Sequence, residues 1–210
     1  MDKVKVHKFP AKLQGLILLF SFLLPHSIAN TDMLKRLNKQ YKQILIDSHI
    51  GILFQLSQRA VTTDLLKQRI DTPLSLAQII EIDKNWSNDK NRQTQITQNQ
   101  LAKYLSVLIN SQHYSFAELM LVDANGALVA AYPLTSDFWQ GDEDKFTKAI
   151  ETNNFSVTPA QWDESTQRYS FFMTVPITQN TQTIGALIAG LKVTPEYMQS
   201  LEKASEQQRL

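Results

Sequence analysis

Cysteine is absent, which excludes disulfides, thiolate metal sites and a cysteine nucleophile, so packing alone must hold the fold. Glycine is scarce, with six in 210 residues, and no Gly-x-Ser-x-Gly elbow, phosphate-cradling loop or dinucleotide fingerprint occurs. Histidine is as rare: beyond residue 29 only His49 and His113 remain, and no His, Asp and Glu residues fall at zinc-site spacing. No metal and no cofactor is therefore expected. An excess of one charge is missing too, since 21 Lys and Arg face 20 Asp and Glu. Without a basic stripe, no nucleic-acid partner is expected.

What is present begins with Lys3, Lys5, Lys8 and Lys12, followed by an apolar run from Leu13 to Leu24 that Pro25 stops. The run is about a dozen residues, short of the roughly 20 that span a bilayer as a helix. Ser27-Ile28-Ala29 then offers small residues before a cut, so residues 1–29 read as a secretory signal peptide cleaved after Ala29. The alternative is an uncleaved N-terminal anchor. With no cysteine after the run, a lipid-anchored lipoprotein is excluded. Either way the remainder is expected to be periplasmic or secreted. It holds 181 residues, suited to one domain, with 17 basic and 19 acidic side chains.

From Thr31 to about Arg69, Leu34, Leu37, Tyr41, Leu45, Ile52 and Leu56 fall on one stripe of a long helix. His49 lies on that stripe and reads as a hydrogen-bonded packing residue rather than a pH sensor or metal ligand. Thr72-Pro73 reads as the cap and first position of a second helix running to about Trp86. Ser87 to Asn99 is polar and reads as a loop or frayed helix start, before helical spacing returns from Leu101 to about Ser111. Two apolar runs, 116–122 and 127–132, then flank Asp123-Ala124-Asn125-Gly126, a strong hairpin signal. Further strands are expected at Tyr169–Ile177 and Ile184–Val193, with a weaker fifth from Phe155 to Trp162. A short helix is expected over Asp142–Ile150, and Thr194-Pro195 opens a terminal polar helix. Helices followed by a meander of strands give an α+β class, a long N-terminal helix packed on an antiparallel sheet of about five strands.

The densest chemistry is Thr135-Ser136-Asp137-Phe138-Trp139-Gln140-Gly141-Asp142-Glu143-Asp144-Lys145-Phe146. If that loop folds over the sheet, Trp139 and Tyr132 form an apolar wall and Asp137 orients a polar group, an arrangement suited to a cationic amine. Capping and dipole effects account equally well for Asp142, Glu143 and Asp144. Two of these acids could serve acid–base hydrolysis, but nothing else supports an enzyme, and none is expected. A second patch joins Trp162-Asp163-Glu164-Ser165-Thr166 to the strand Tyr169-Ser170-Phe171-Phe172-Met173. Alternation puts Tyr169, Phe171 and Met173 on one face, and apolar residues on both faces mark a central strand.

In order and spacing these strings resemble the extracytoplasmic Cache sensors, the PAS-like (PDC-type) subset. The resembling residues are Ile79-Ile80-Glu81-Ile82-Asp83-Lys84-Asn85-Trp86, Leu119 to Gly126, Thr135 to Glu143, Trp162 to Thr166, Val175-Pro176-Ile177 and Ile184-Gly185-Ala186-Leu187. Together they cover most of residues 75–193. The resemblance implies a helical layer over 30–112, a PAS-like sheet over 115–193 and a C-terminal helix over 194–210. It implies a sensor domain for signal transduction, binding a small organic ligand: an amine, amino acid or carboxylate. Tyr132, Asp137 and Trp139 become the first candidates for ligand contact, with Trp162, Tyr169 and Phe171 behind them, and Asp83 and Trp86 take structural roles. Such sensors continue into a second membrane helix and an output domain, whereas this sequence stops at Leu210. The expectation is therefore a free-standing domain that relays to a membrane receptor, kinase or cyclase, with homodimerisation through the long helix. The competing expectation is an interaction module that keeps the sensor fold without a ligand.

Overall fold

A computed structural model describes residues 34–35, 37–111, 113–163 and 168–194. The expected signal peptide and nearly all of the expected C-terminal helix lie outside these. After a π-helical turn at Leu37–Tyr41, the helices are α1 (Lys42–Ser57), α2 (Ala60–Asp71), α3 (Leu76–Lys84), α4 (Lys90–Gln98), α5 (Gln100–Asn110) and α6 (Asp144–Thr152). The strands are β1 (Phe116–Asp123), β2 (Leu128–Tyr132), β3 (Ser156–Val157), β4 (Gln161–Asp163), β5 (Arg168–Gln179) and β6 (Gln182–Val193). This is the expected α+β arrangement of helices on an antiparallel sheet.

The long helix is shorter than its stripe suggests. The Leu56 carbonyl, which in a continuing helix would accept from Ala60, accepts instead from the Arg59 N–H at 3.2 Å and the Thr62 hydroxyl at 2.8 Å. Arg59 is extended, with ψ 140°, so α2 starts in a new direction. Its guanidinium stacks 4.0 Å above the Tyr104 ring and donates to the Tyr104 hydroxyl, tying the break to α5. Within α1 the buried residue is Leu53, not Ile52, because the stripe Leu37, Tyr41, Leu45, His49, Leu53 advances in steps of four.

The second helix is capped by Ser75 rather than Thr72. Ser75 and Gln78 form a reciprocal capping box that satisfies two backbone donors, a stronger start than proline alone supplies. The polar stretch after Trp86 is α4, a true helix. Asp89 caps it by accepting from Arg92 N–H, and Gln93 is buried because its amide donates to the Trp86 carbonyl at 2.6 Å. A buried glutamine leaves no apolar period to read.

The sheet order is β2-β1-β6-β5-β3, with β4 also pairing β5. The expected meander is thus corrected: β1 pairs with β6 from Phe116↔Leu191 to Asp123↔Gly185, so the first and last strands lie side by side. The expected fifth strand is split into β3 and β4. The β5–β6 hairpin is longer than expected, since Asn180 and Thr181 take φ of 50° and 67° and close a two-residue turn. At the other hairpin the turn falls on the expected four residues, but Ala124 and Asn125 are its central pair: Gly126 N–H donates to the Asp123 carbonyl, and Gly126, not Asn125, takes the positive φ, 82°.

Strand alternation divides the apolar residues into two cores. One lies between the sheet and α1, α2 and α5, and contains Leu45, Leu56, Leu66, Leu105, Leu119, Phe171, Met173 and Leu191. Each fully buried leucine there contributes about 1.5–3 kcal/mol relative to an exposed one. The other lies under α3, α6 and the β2–α6 loop, and contains Ile79, Trp86, Met120, Phe138, Phe146 and Ile188. His49 is a packing residue, as its place on the stripe implies. It is fully buried, with Nδ1 2.9 Å from the Leu45 carbonyl and Nε2 accepting from Ser115 N–H at 3.2 Å. Those partners define the neutral Nδ1–H tautomer, and burial holds the ring's pKa below its ordinary value, opposed by the Leu45 contact.

Candidate functional site

The site lies beneath the loop that leaves β2 through the cis Tyr132–Pro133 peptide and re-enters regular structure at α6. The loop is pinned by residues distant in sequence. Asp83, at the end of α3, accepts with one carboxylate oxygen from Phe138 N–H at 2.8 Å and Trp139 N–H at 2.9 Å. The Trp86 indole donates to the Thr135 carbonyl at 2.9 Å and its ring lies 5.5 Å from that of Phe138, itself fully buried. Trp139 pairs with Ala127 at the sheet edge, and its indole donates to the Asn125 carbonyl at 2.8 Å. Gly126 and Gly141 leave room for this crossing, because a Cβ on Gly126 would stand 2.4 Å from the Gly141 Cα.

Between these anchors residues 133–137 arch over the sheet and border a half-open cavity of about 380 Å³. The sheet supplies Glu118, Ser170, Phe172 and Gly190 as floor, and Asp137, Gln140 and Lys145 close it from above. Alternation explains the floor's polarity: Ser170 and Phe172 point here while Tyr169, Phe171 and Met173 point to the helix-side core. Gly190 lets Glu118 lie flat across β6, since a Cβ there would fall 2.7 Å from Glu118 Cγ.

The polar groups are mostly tied to one another. Asp137 accepts from the Ser136 hydroxyl and from the Gln140 amide, each at 3.0 Å. That donation fixes the orientation of the Gln140 amide and leaves its Oε1 buried with no partner among the described residues. An orphaned buried acceptor costs about 1–3 kcal/mol. Lys145 lies 3.1 Å from a Glu143 carboxylate oxygen and 4.6 Å from the Phe172 ring centroid. Burial pushes the Glu143 carboxyl up, Lys145 opposes that, and Asp137 and Asp142 add to it. Glu143 is the N-cap residue of α6, yet its side chain makes no cap bond and pairs with Lys145 instead.

Of the six residues singled out in the sequence, Asp137 lines the cavity. Tyr132, Tyr169 and Phe171 pack into the core on the helix side of the sheet. Trp139 packs into the opposite core and locks the hairpin turn, so it and Tyr132 do not form one wall. Trp162 sits in β4, paired with Tyr169. Sequence reasoning missed Glu118 and Gly190 altogether, while Gln140, Lys145 and Ser170 stood in the runs it singled out but were not among its candidates for ligand contact. Glu118 carried a signal: it is the one charged residue within the apolar run Phe116–Val122. Among the described residues no cluster of His, Asp and Glu could hold a metal, and no helix is long and apolar enough to cross a membrane.

No protein-family model matches the sequence, and no curated protein does. Solved structures do. The ligand-binding domain of the Pseudomonas aeruginosa amino acid chemoreceptor PctC, in complex with GABA, is 13% identical over 80% of this chain and 62% of its own, with a TM-score of 0.41. The sensory domain of the Campylobacter jejuni chemoreceptor Tlp3 is 22% identical over 76% of this chain and 66% of its own, with a TM-score of 0.39. A domain of a sensory box/GGDEF family protein from Vibrio parahaemolyticus is 15% identical over 83% of this chain and 63% of its own, with a TM-score of 0.47. The chain thus spans less than two thirds of the length of each. The structures it is similar to are sensor domains of receptors and signalling proteins.

Proposed function

We propose that the chain is an exported ligand-binding sensor domain whose cavity beneath residues 133–137 holds a small organic molecule bearing an ammonium group, an amine or amino acid. The supporting observation is that two carboxylates, Asp137 and Glu118, line one cavity. Carboxylates lining one space favour a cation there. Among the described residues lining it the one cation is Lys145, which pairs with Glu143; it attracts any carboxylate, but an amino acid also offers an ammonium to the acids, whereas a simple carboxylate meets only their repulsion. The volume fits a small metabolite.

Asp137 contacts the ligand directly in this reading. Trp139 holds the loop through the Asn125 carbonyl, and Tyr132, Tyr169 and Phe171 support the floor from behind. The bound state is relayed to a separate envelope partner, which requires that the ligand favour one of two states of the domain. Thermal-shift titration with primary amines, amino acids and simple carboxylates tests the site. Ammonium-bearing compounds are expected to raise Tm in wild type and lose that effect in Asp137→Asn. No shift with any of the three classes would overturn the reading.

A further inference from the structure

A second hollow, of about 210 Å³, opens where the two hairpin turns meet the end of α2. Its wall is formed by Arg69, Ile70, Leu74, Asp123, Asn125 and Ile184. Asp123 spends one carboxylate oxygen on the turn, accepting from Asn125 N–H at 2.9 Å and Ala127 N–H at 3.0 Å. Its other oxygen faces Arg69 Nε at 3.6 Å, beyond the 2.7–3.2 Å of an N–H···O bond. Arg69 makes one hydrogen bond, from Nη2 to the Leu128 carbonyl at 3.2 Å. Among the described residues the second Asp123 oxygen and Arg69 Nε therefore have no hydrogen-bond partner. Both side chains have nonetheless lost most of their water, being 7% and 19% exposed. Burial accordingly pushes the Asp123 carboxyl up and the Arg69 guanidinium down.

This loose ion pair lines the hollow with a spare donor beside a spare acceptor, and suits a group that lies alongside, donating on one side and accepting on the other. An anion would complete Arg69 but confront Asp123, and a cation would do the reverse. A neutral amide serves both, with N–H to the carboxylate and C=O to the guanidinium. Beside this polar end, Ile70, Leu74 and Ile184 offer apolar surface, and Ile70 is 47% exposed. The hollow has the volume of roughly seven water molecules at about 30 Å³ each, which limits the occupant to a small compound. We propose that this hollow is a second binding site, for a small neutral molecule carrying a primary carboxamide on a short branched apolar body.

The test is titration of ¹⁵N-labelled protein with isobutyramide, with isobutyrate and isobutylamine as charged compounds of similar shape. Saturable amide shifts are expected at 123–127 and 182–184, at least tenfold weaker affinity for both charged compounds, and loss of saturable shifts in Ala124→Trp. Ala124 is an exposed turn residue lining the hollow, so the indole fills it without entering the core. If that variant loses its dispersed spectrum, Ile70→Glu, at a half-exposed position, gives the same readout. Absence of saturable shifts up to the solubility of the amide, equal affinity for all three compounds, or binding that survives the blocking substitution would each overturn the proposal.

Discussion

The two faces of the sheet are built by the same strands and share almost nothing else. Toward α1, α2 and α5, β5 presents Tyr169, Phe171, Met173, Val175 and Ile177, and β6 presents Leu187, Ala189 and Leu191, a closed apolar seam. Toward the loop the same two strands present Ser170, Phe172, Thr174 and Gly190. A period of two lets one segment of chain make a core and a binding floor at once. The two faces carry separate properties: stability on one, recognition on the other.

Substitutions can break that separation, and the largest effect belongs to the helix side. Phe171→Ala should cost about 3–5 kcal/mol, read as a lowered urea midpoint, because the ring is fully buried. If it instead spared stability and abolished binding, the two faces would not be separable. Next, Asp83→Ala removes the acceptor of two backbone donors and should cost about 1–3 kcal/mol. Its local signature is faster hydrogen exchange at the Phe138 and Trp139 amides, with β5 and β6 protection unchanged. On the cavity floor, Gly190→Ala should displace Glu118 and weaken ligand binding about tenfold, or about 1.4 kcal/mol. Its urea midpoint should stay near that of wild type.

The smallest effect is a pH dependence confined to the helix side. His49 has a folded-state pKa below its ordinary 6.5, so the unfolded chain binds the proton more readily and stability is lost as pH falls below 6.5. The difference in Tm between wild type and His49→Gln should therefore shrink on acidification. A difference independent of pH would mean that the ring is not held neutral in the helix seam.

Much of this division was legible in the sequence. The Asp123-Ala124-Asn125-Gly126 turn, the sides of β5 and the packing role of His49 follow from local chemistry and period. What was hidden depends on distant partners. The helix break at Arg59 exists because Thr62 takes the Leu56 carbonyl, and α4 holds through a buried Gln93 that no hydrophobic pattern reveals. The site was half visible: Asp137, Gln140 and Lys145 stand in one run, but Glu118 and Gly190 join them only through the pairing of β1 with β6. Aromatic residues near that run drew attention because rings bind ligands, whereas here their larger task is to hold the loop.

The adjacency of β1 and β6 also governs when the molecule can come into being. Each hairpin closes within its own stretch of chain, yet they join through strands separated by the whole of β2, α6, β3, β4 and β5. Such non-local pairing slows folding, because loop-closure entropy is spent before the contacts form. A chain emerging from synthesis exposes the bare inner edge of β1, from Phe116 to Asp123, until residues 182–193 arrive to cover it. That apolar edge is a template for pairing with another chain. The sheet's central seam is thus the last part to exist and the part whose delay leaves the protein most open to aggregation.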